Sequence, residues 1–232
     1  MKSNDIKKFR LAIEQSALKI PDRLRQHRDL RYVLIREKEK KPSESKWQSE
    51  KNYSADSPKL LGHLVKGGNY GIACGFGSLV VFDSDEEERL SELGITNKLP
   101  RTFTVRTGGG GTHRYYFCPE LKDKITLFDP IMNEPKHPGH PLHLGEIQSN
   151  GQQVVGPGSI HPNGNQYEVI DDWEIAEISL AELMDAIKEL RTSLKTKTIK
   201  KRKNEKIYKK RKESRVRRSR DSIIKLKISL CQ

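Results

Sequence analysis

The apolar positions change period several times along the chain, and each change predicts an element. Ile6, Phe9, Ile13 and Ala17 recur at helical spacing, with Ser3 or Asn4 as a cap and Pro21 beyond the pattern's end. Residues 32–35 form a short apolar strand, and a polar loop follows through Lys40, Pro42 and Trp47 to Ser54. Ser57-Pro58 opens a helix with Leu60, Leu61 and Leu64 on its buried side, stopped by Gly67-Gly68. Two apolar runs, 70–74 and 79–82, flank Gly75-Phe76-Gly77 and predict two strands joined by a tight turn. An acidic-led helix spans 86–93, and a hairpin follows, with strands 102–106 and 113–118 joined over Gly108-Gly109-Gly110-Gly111. Residues 129–141, rich in Pro, Gly and His, predict a loop; strands are expected at 142–148, 152–155 and 166–170. Leu180, Leu183, Ile187 and Leu190 close the body with an amphipathic helix. Strands punctuated by helices, without regular βαβ alternation, give an α+β domain with a largely antiparallel sheet.

Charge divides the chain in two. The 232 residues carry a formal net charge of +13. Arg191 to Gln232 holds 18 Lys/Arg against Glu205, Glu213 and Asp221, a net of +15, and leaves the first 190 residues at −2. The expected organisation is therefore a near-neutral body over 1–190 and a basic tail over 191–232, disordered or partly helical. That tail is suited to nucleic-acid contact, with a solubilising extension or the start of a further domain as the plainer readings. No apolar run reaches the roughly 20 residues of a membrane span. The charged N-terminus lacks the apolar core of a secretory signal, and Cys74, Cys118 and Cys231 have no paired spacing. A cytoplasmic protein without membrane attachment is expected.

Five segments could carry chemistry. Asp83 and Asp85 end an apolar strand two residues apart, so period-two geometry puts both carboxylates on one face, where a hard divalent cation would relieve their repulsion. The plain alternative is a pair of solvated acids, with Asp85 capping the next helix. The glycine run lets backbone approach a phosphate closely, with His113 and Arg114 just beyond it, or it is merely a flexible hairpin loop. Glu146 interrupts an apolar strand and must face water or a cation. The Gly-Pro-Gly turn before Ser159 and His161 presents two donors, or only shapes a turn. His137, His140 and His143 have a spacing that suits zinc poorly, and a plain loop is the preferred reading.

In their order, these segments resemble the bifunctional DNA primase/polymerase N-terminal (prim-pol) domain of the archaeo-eukaryotic primase superfamily. The likeness spans residues 30–190. It rests on Lys40-x-Pro42 and Trp47, GNYGIACG, the hydrophobic-Asp-x-Asp ending at Asp85, TVRTGGGGTHRYYF, and GEIQ with VVGPGSIHPNG. The resemblance implies an archaeo-eukaryotic primase-like α+β fold, its mixed, largely antiparallel sheet flanked by helices in two packed subunits. It places metal-binding acids on Asp83, Asp85 and Glu146. Glu146 after Gly145 is a double departure from the family's hydrophobic-Asp pattern, but it keeps the carboxylate. The small-x-His motif falls on Gly111-Thr112-His113, and Pro157, Ser159 and His161 match the Pro-x-Ser-x-His signature. Arg106 and Arg114 are further candidates for nucleotide phosphates. The implied activity is nucleotidyl transfer with two Mg2+ or Mn2+ ions, joining nucleoside triphosphates on a single-stranded DNA template in plasmid, viral or integrated-element replication. Many relatives continue into a helicase; this chain would act alone, recruit a replicative helicase in trans, or be a fragment. A non-catalytic replication-initiation or single-strand-binding module is the alternative, and a metal-dependent nuclease a third.

Overall fold

Two β-sheets organise residues 19–193, the part of the chain that the computed structural model describes. The predicted N-terminal helix and almost all of the basic tail lie outside the described residues. The smaller sheet has the order β1-β2-β8, from Arg31–Ile35, Asn69–Ala73 and Gln153–Val155, and is antiparallel throughout. The larger is built from β3 (Leu79–Ser84), β4 (Thr104–Arg106), β5 (Thr112–Phe117), β6 (Ile125–Asn133), β7 (Pro141–Gln148) and β9 (Glu168–Asp171). Its strands run β6-β7-β3-β5-β4-β9, and β10 (Ala176–Glu177) pairs parallel to β5. Among the described residues four short α-helices accompany the sheets: α1 (Asp22–Arg25), α2 (Pro58–Val65), α3 (Glu87–Glu92) and α4 (Leu180–Ala186). Among the described residues no helix is long and apolar enough to cross a membrane.

The strand β3 explains the architecture. Its Leu79, Val80, Val81 and Phe82 are all buried, an unbroken apolar run rather than an alternation, because both faces of the larger sheet are covered. On one face Leu79, Val81 and Tyr115 pack into a core shared with Tyr32, Tyr70 and Ile72 of the smaller sheet. Tyr32, Tyr70, Tyr115, Tyr116, Phe82 and Phe103 are fully buried, each contributing about 1.5–3 kcal/mol of apolar burial.

Three expectations need correction, and a fourth gains a detail. The runs flanking Gly75-Phe76-Gly77 are the expected two strands joined by a turn, but β2 pairs with β1 and β8 and β3 with β5 and β7, so the turn carries the chain from one sheet to the other. The stretch 129–141 is not all loop, since β6 runs to Asn133 and pairs with β7. Its Pro130 and polar residues hid the strand. Asp85 does not cap α3, whose N-cap is Glu86 without a side-chain cap bond. The closing helix α4, with a Ser179–Glu182 capping box, ends at Ala186 rather than at Leu190.

Candidate active site

Register alone assembles the centre of the site. Asp83 on β3 stands directly opposite His113 of β5 on one side and Glu146 of β7 on the other. Residues opposite one another across paired strands share a face, so His113, Asp83 and Glu146 form one row across the sheet. His113 Nε2 lies 3.3 Å from Asp83 Oδ1. Gln148, two residues after Glu146, donates its amide to Asp83 Oδ2 at 3.3 Å and to Glu146 Oε2 at 2.9 Å. The Lys124 ammonium pairs with Glu146 Oε1. Asp85, just past the strand end, faces His143 of β7, with Nδ1 3.3 Å from its Oδ2, and the other ring nitrogen of His143 is 4.0 Å from Glu146 Oε1. One imidazole thus links the second carboxylate to the third.

Two glycines permit this convergence. A Cβ on Gly145 would fall 2.1 Å from the Asp83 carbonyl oxygen, and the residue has φ of 142°. A Cβ on Gly111 would fall 1.9 Å from the Ser84 carbonyl oxygen. Both neighbours of β3 therefore close on it only because those positions lack a side chain. The Gly145-Glu146 departure from the family pattern acquires a physical reason here. β7 is also bulged: Leu127 of β6 faces Gly145 while Phe128 faces His143, which inserts one extra residue. The bulge brings His143 and Glu146, three apart in sequence, to the same side.

The row is electrostatically tuned. Burial alone would raise the Asp83 carboxyl, but the charge and hydrogen bond of His113, the Gln148 amide and the charge of Lys40 together hold it below its ordinary value. His143 is shifted upward, chiefly by its hydrogen bond to Asp85; desolvation opposes this, and the charges of Asp85, Glu146 and Glu134 add to it. His113 is only 4% exposed, and its Nδ1 is buried without a partner, as are the Tyr115 hydroxyl and His161 Nε2. The Tyr167 ring lies between the two histidines, 5.8 Å from His113 and 5.9 Å from His161. Unpaired buried polar atoms are costly, and their clustering marks a place suited to a polar ligand.

The other candidates divide. His161 is brought to the glycine hairpin: its loop is tied there by the Asn163 and Asn165 amides, which donate to the Gly108 carbonyl at 2.8 and 3.0 Å. Arg106 is largely exposed at the end of β4, 3.8 Å from Glu168. Arg114 is not brought to the row. It stands opposite Phe82, on the other face, where its guanidinium binds Glu87 of α3 and the Thr112 hydroxyl. Ser159 is buried and its hydroxyl accepts the Tyr70 amide at 3.3 Å, a tie between its turn and β2. His137 and His140 sit in the turn between β6 and β7, while His143 alone of that trio reaches the acids. Lys124, Gln148 and Tyr167 were not singled out from sequence as site residues, and His143 only within a histidine pattern read as a loop. Only Gln148, at a period of two from Glu146, left a usable signal.

The donor set suits a hard cation. Magnesium is commonly held by one or two carboxylates, with the remaining ligands from substrate phosphates and water. Here the Asp83 and Glu146 carboxylates converge on a single amide nitrogen of Gln148. Among the described residues, no three His, Cys, Asp or Glu side chains form a ready-made metal cage. None of the curated proteins compared with the chain matches it. The family model described as bifunctional DNA primase/polymerase, N-terminal, matches residues 24–183, from α1 into α4. With well over half its length matched, and the whole His113–Asp83–Glu146 row inside the match, the chain belongs to the bifunctional DNA primase/polymerase N-terminal domain family.

Proposed function

We propose that this family member is an active nucleotidyltransferase, a metal-dependent primase/polymerase. It would join nucleoside triphosphates on a single-stranded DNA template during replication of a plasmid, virus or integrated element. The observation that carries the proposal is the in-register row of His113, Asp83 and Glu146, with Asp85 tied to it through His143. The two sheets are read as the two packed subunits of the family fold.

Asp83, Asp85 and Glu146 would hold Mg2+ or Mn2+, which when bound lowers the pKa of the attacking 3′ oxygen and neutralises charge on the triphosphate. The chain's own groups do the rest. The lowered pKa of Asp83 keeps it anionic, so it accepts a ligand without first losing a proton. Gln148, bonded to both acids, fixes their spacing. Lys124, paired with Glu146, is placed to transfer its ammonium to an incoming phosphate. His161 supplies a donor, its unpaired Nε2, beside the glycine hairpin, where His113 also presents an unpaired ring nitrogen, and Arg106, 3.8 Å from Glu168, stands at the hairpin's base.

The test is de novo synthesis on unprimed single-stranded templates with Mg2+ or Mn2+ and labelled nucleotides. Asp83→Ala and Glu146→Ala should each cost at least about a hundredfold in incorporation, the scale of removing one electrostatic group from a preorganised site. A second reading is a DNA-binding module without catalysis, favoured by the Lys124 pair that already neutralises Glu146. Template binding without incorporation under any metal would support it, and template degradation would point to a nuclease instead.

A further inference from the structure

A second surface lies at the opposite end of β3 from the acids. A cavity of about 640 Å³ opens there, lined among others by Arg25, His27, Arg28 and Arg31. His27 stacks edge-on to Phe117 at 4.9 Å, and Phe117 pairs with Leu79, the first residue of β3. At about 3.3 Å per residue, that level is roughly 13 Å along the strand from Asp83.

The charges of this cavity are unevenly compensated. Arg31 donates to the carbonyls of Arg28 and Leu30, which are neutral acceptors. Asp22 lies 3.6 Å from Arg25, and Asp56 is hydrogen-bonded by the Ser54 hydroxyl, with Arg28 acting on it only at longer range. Three guanidiniums therefore share one cavity with two exposed carboxylates. Beside it, α1 reaches the loop after β9, where Arg23 pairs with Asp172 at 3.5 Å and with Glu174, and Gln26 donates to Glu174 at 3.2 Å. Those bonds hold Trp173 between two anchored acids, with its side chain 50% exposed. The Arg101 guanidinium covers one ring face at 4.4 Å and is itself fixed by two bonds to Asp171. An aromatic ring held half in water by fixed neighbours is a platform on which a base can stack.

We infer that this shoulder binds single-stranded nucleic acid, with backbone phosphates in the Arg25/Arg28/Arg31 cavity and a base stacked on Trp173. A basic groove joined to an aromatic platform is the combination that holds single strands without reading sequence. Arginine is suited to the task because its planar fork matches phosphate oxygens. The inference rests on the reading that this chain works on nucleic acid, but the site is distinct from the acids.

The experiment measures binding of fluorescein-labelled dT20 to the full chain over a salt series, without metal or nucleotide, by anisotropy. Each phosphate released should remove about 0.7 from the log–log salt slope. Arg28→Gln should lower the slope by about 0.7, and Arg28→Gln with Arg31→Gln by about 1.4. Trp173→Ala should weaken binding between about fivefold and a hundredfold. In a Trp47→Phe background, dT20 should quench the remaining Trp173 emission. Inorganic triphosphate is the parallel ligand: a loss confined to it, with dT20 unaffected, would assign the cavity to free nucleotide and overturn the inference. So would unchanged slope and unquenched emission. The single Arg28→Gln change, at an exposed residue, keeps the test valid if the double variant fails to fold. Wild-type incorporation, assayed separately, reports on the catalytic reading alone.

Discussion

Gly145→Ala probes whether β7 approaches β3 as closely as the row requires. The added methyl would lie 2.1 Å from the Asp83 carbonyl oxygen and 3.1 Å from Ser84 Cα, both backbone atoms of a central strand that cannot swing aside. Holding alanine at the glycine-favouring φ of 142° costs about 1–3 kcal/mol. Relieving the clash by a backbone shift adds about 1–3 kcal/mol. We expect a total near 4 kcal/mol, or about 8–16 °C in Tm for a domain of this size. Chemical denaturation should show a lower midpoint at constant m-value, the signature of lost stability rather than a changed unfolded state. Because the same shift separates Glu146 from Asp83, incorporation should fall more than unfolding at the assay temperature explains. A variant within about 0.5 kcal/mol of wild type and fully active would refute the reasoning, since β7 could not then pass so close to Asp83.

Further tests separate the site from its supports. Lys124→Met removes the countercharge on Glu146, so Mn2+ affinity of the nucleotide-free protein, followed by electron paramagnetic resonance, should rise a few-fold while nucleotide KM worsens; unchanged Mn2+ affinity would sever Lys124 from the site. Arg114→Gln should cost about 1–2 kcal/mol of stability through the Glu87 pair yet leave nucleotide KM within twofold, and a tenfold rise in KM would return Arg114 to the nucleotide site. Asp129 is fully buried and accepts the amides of Ile131 and Met132 and the Arg89 guanidinium. Burial pushes its carboxyl up, but the Arg89 bond, the two amides and the Arg89 charge outweigh it and hold the pKa low. A lowered folded-state pKa contributes stability above the unfolded value, and that stability is lost as pH falls through the folded one. Asp129→Asn should therefore cost about 2–3 kcal/mol near neutral pH and flatten the loss of stability below about pH 4. An unaltered acid limb would show that another carboxylate controls it.

Much of this was legible in the chain because the signals were local. Period-two alternation and turn glycines located β5, β7 and β8, and Pro58 with its leucines located α2. Asp83, His113 and Glu146 were identified by residue type, order and neighbouring motif. β6 escaped because Pro130 and a polar tip masked a strand whose partner is sequential but bulged. Of the side chains around the acids, Lys124 carries no motif and His143 is read from sequence only as part of a histidine loop; both meet Glu146 through pairing and a bulge.

The sequence by itself determined the α+β class, the carboxylates and the division between a near-neutral body and a basic tail, since composition and short-range periodicity need no partner strand. Tertiary structure alone decided that the two apolar runs around Gly75 part into different sheets, and that Arg114 faces α3 while its neighbour His113 faces Asp83. It also decided that Gly145 is the condition for Glu146 standing beside Asp83. Each depends on register, and a one-residue slip in register would send every side chain of the strand to the other face.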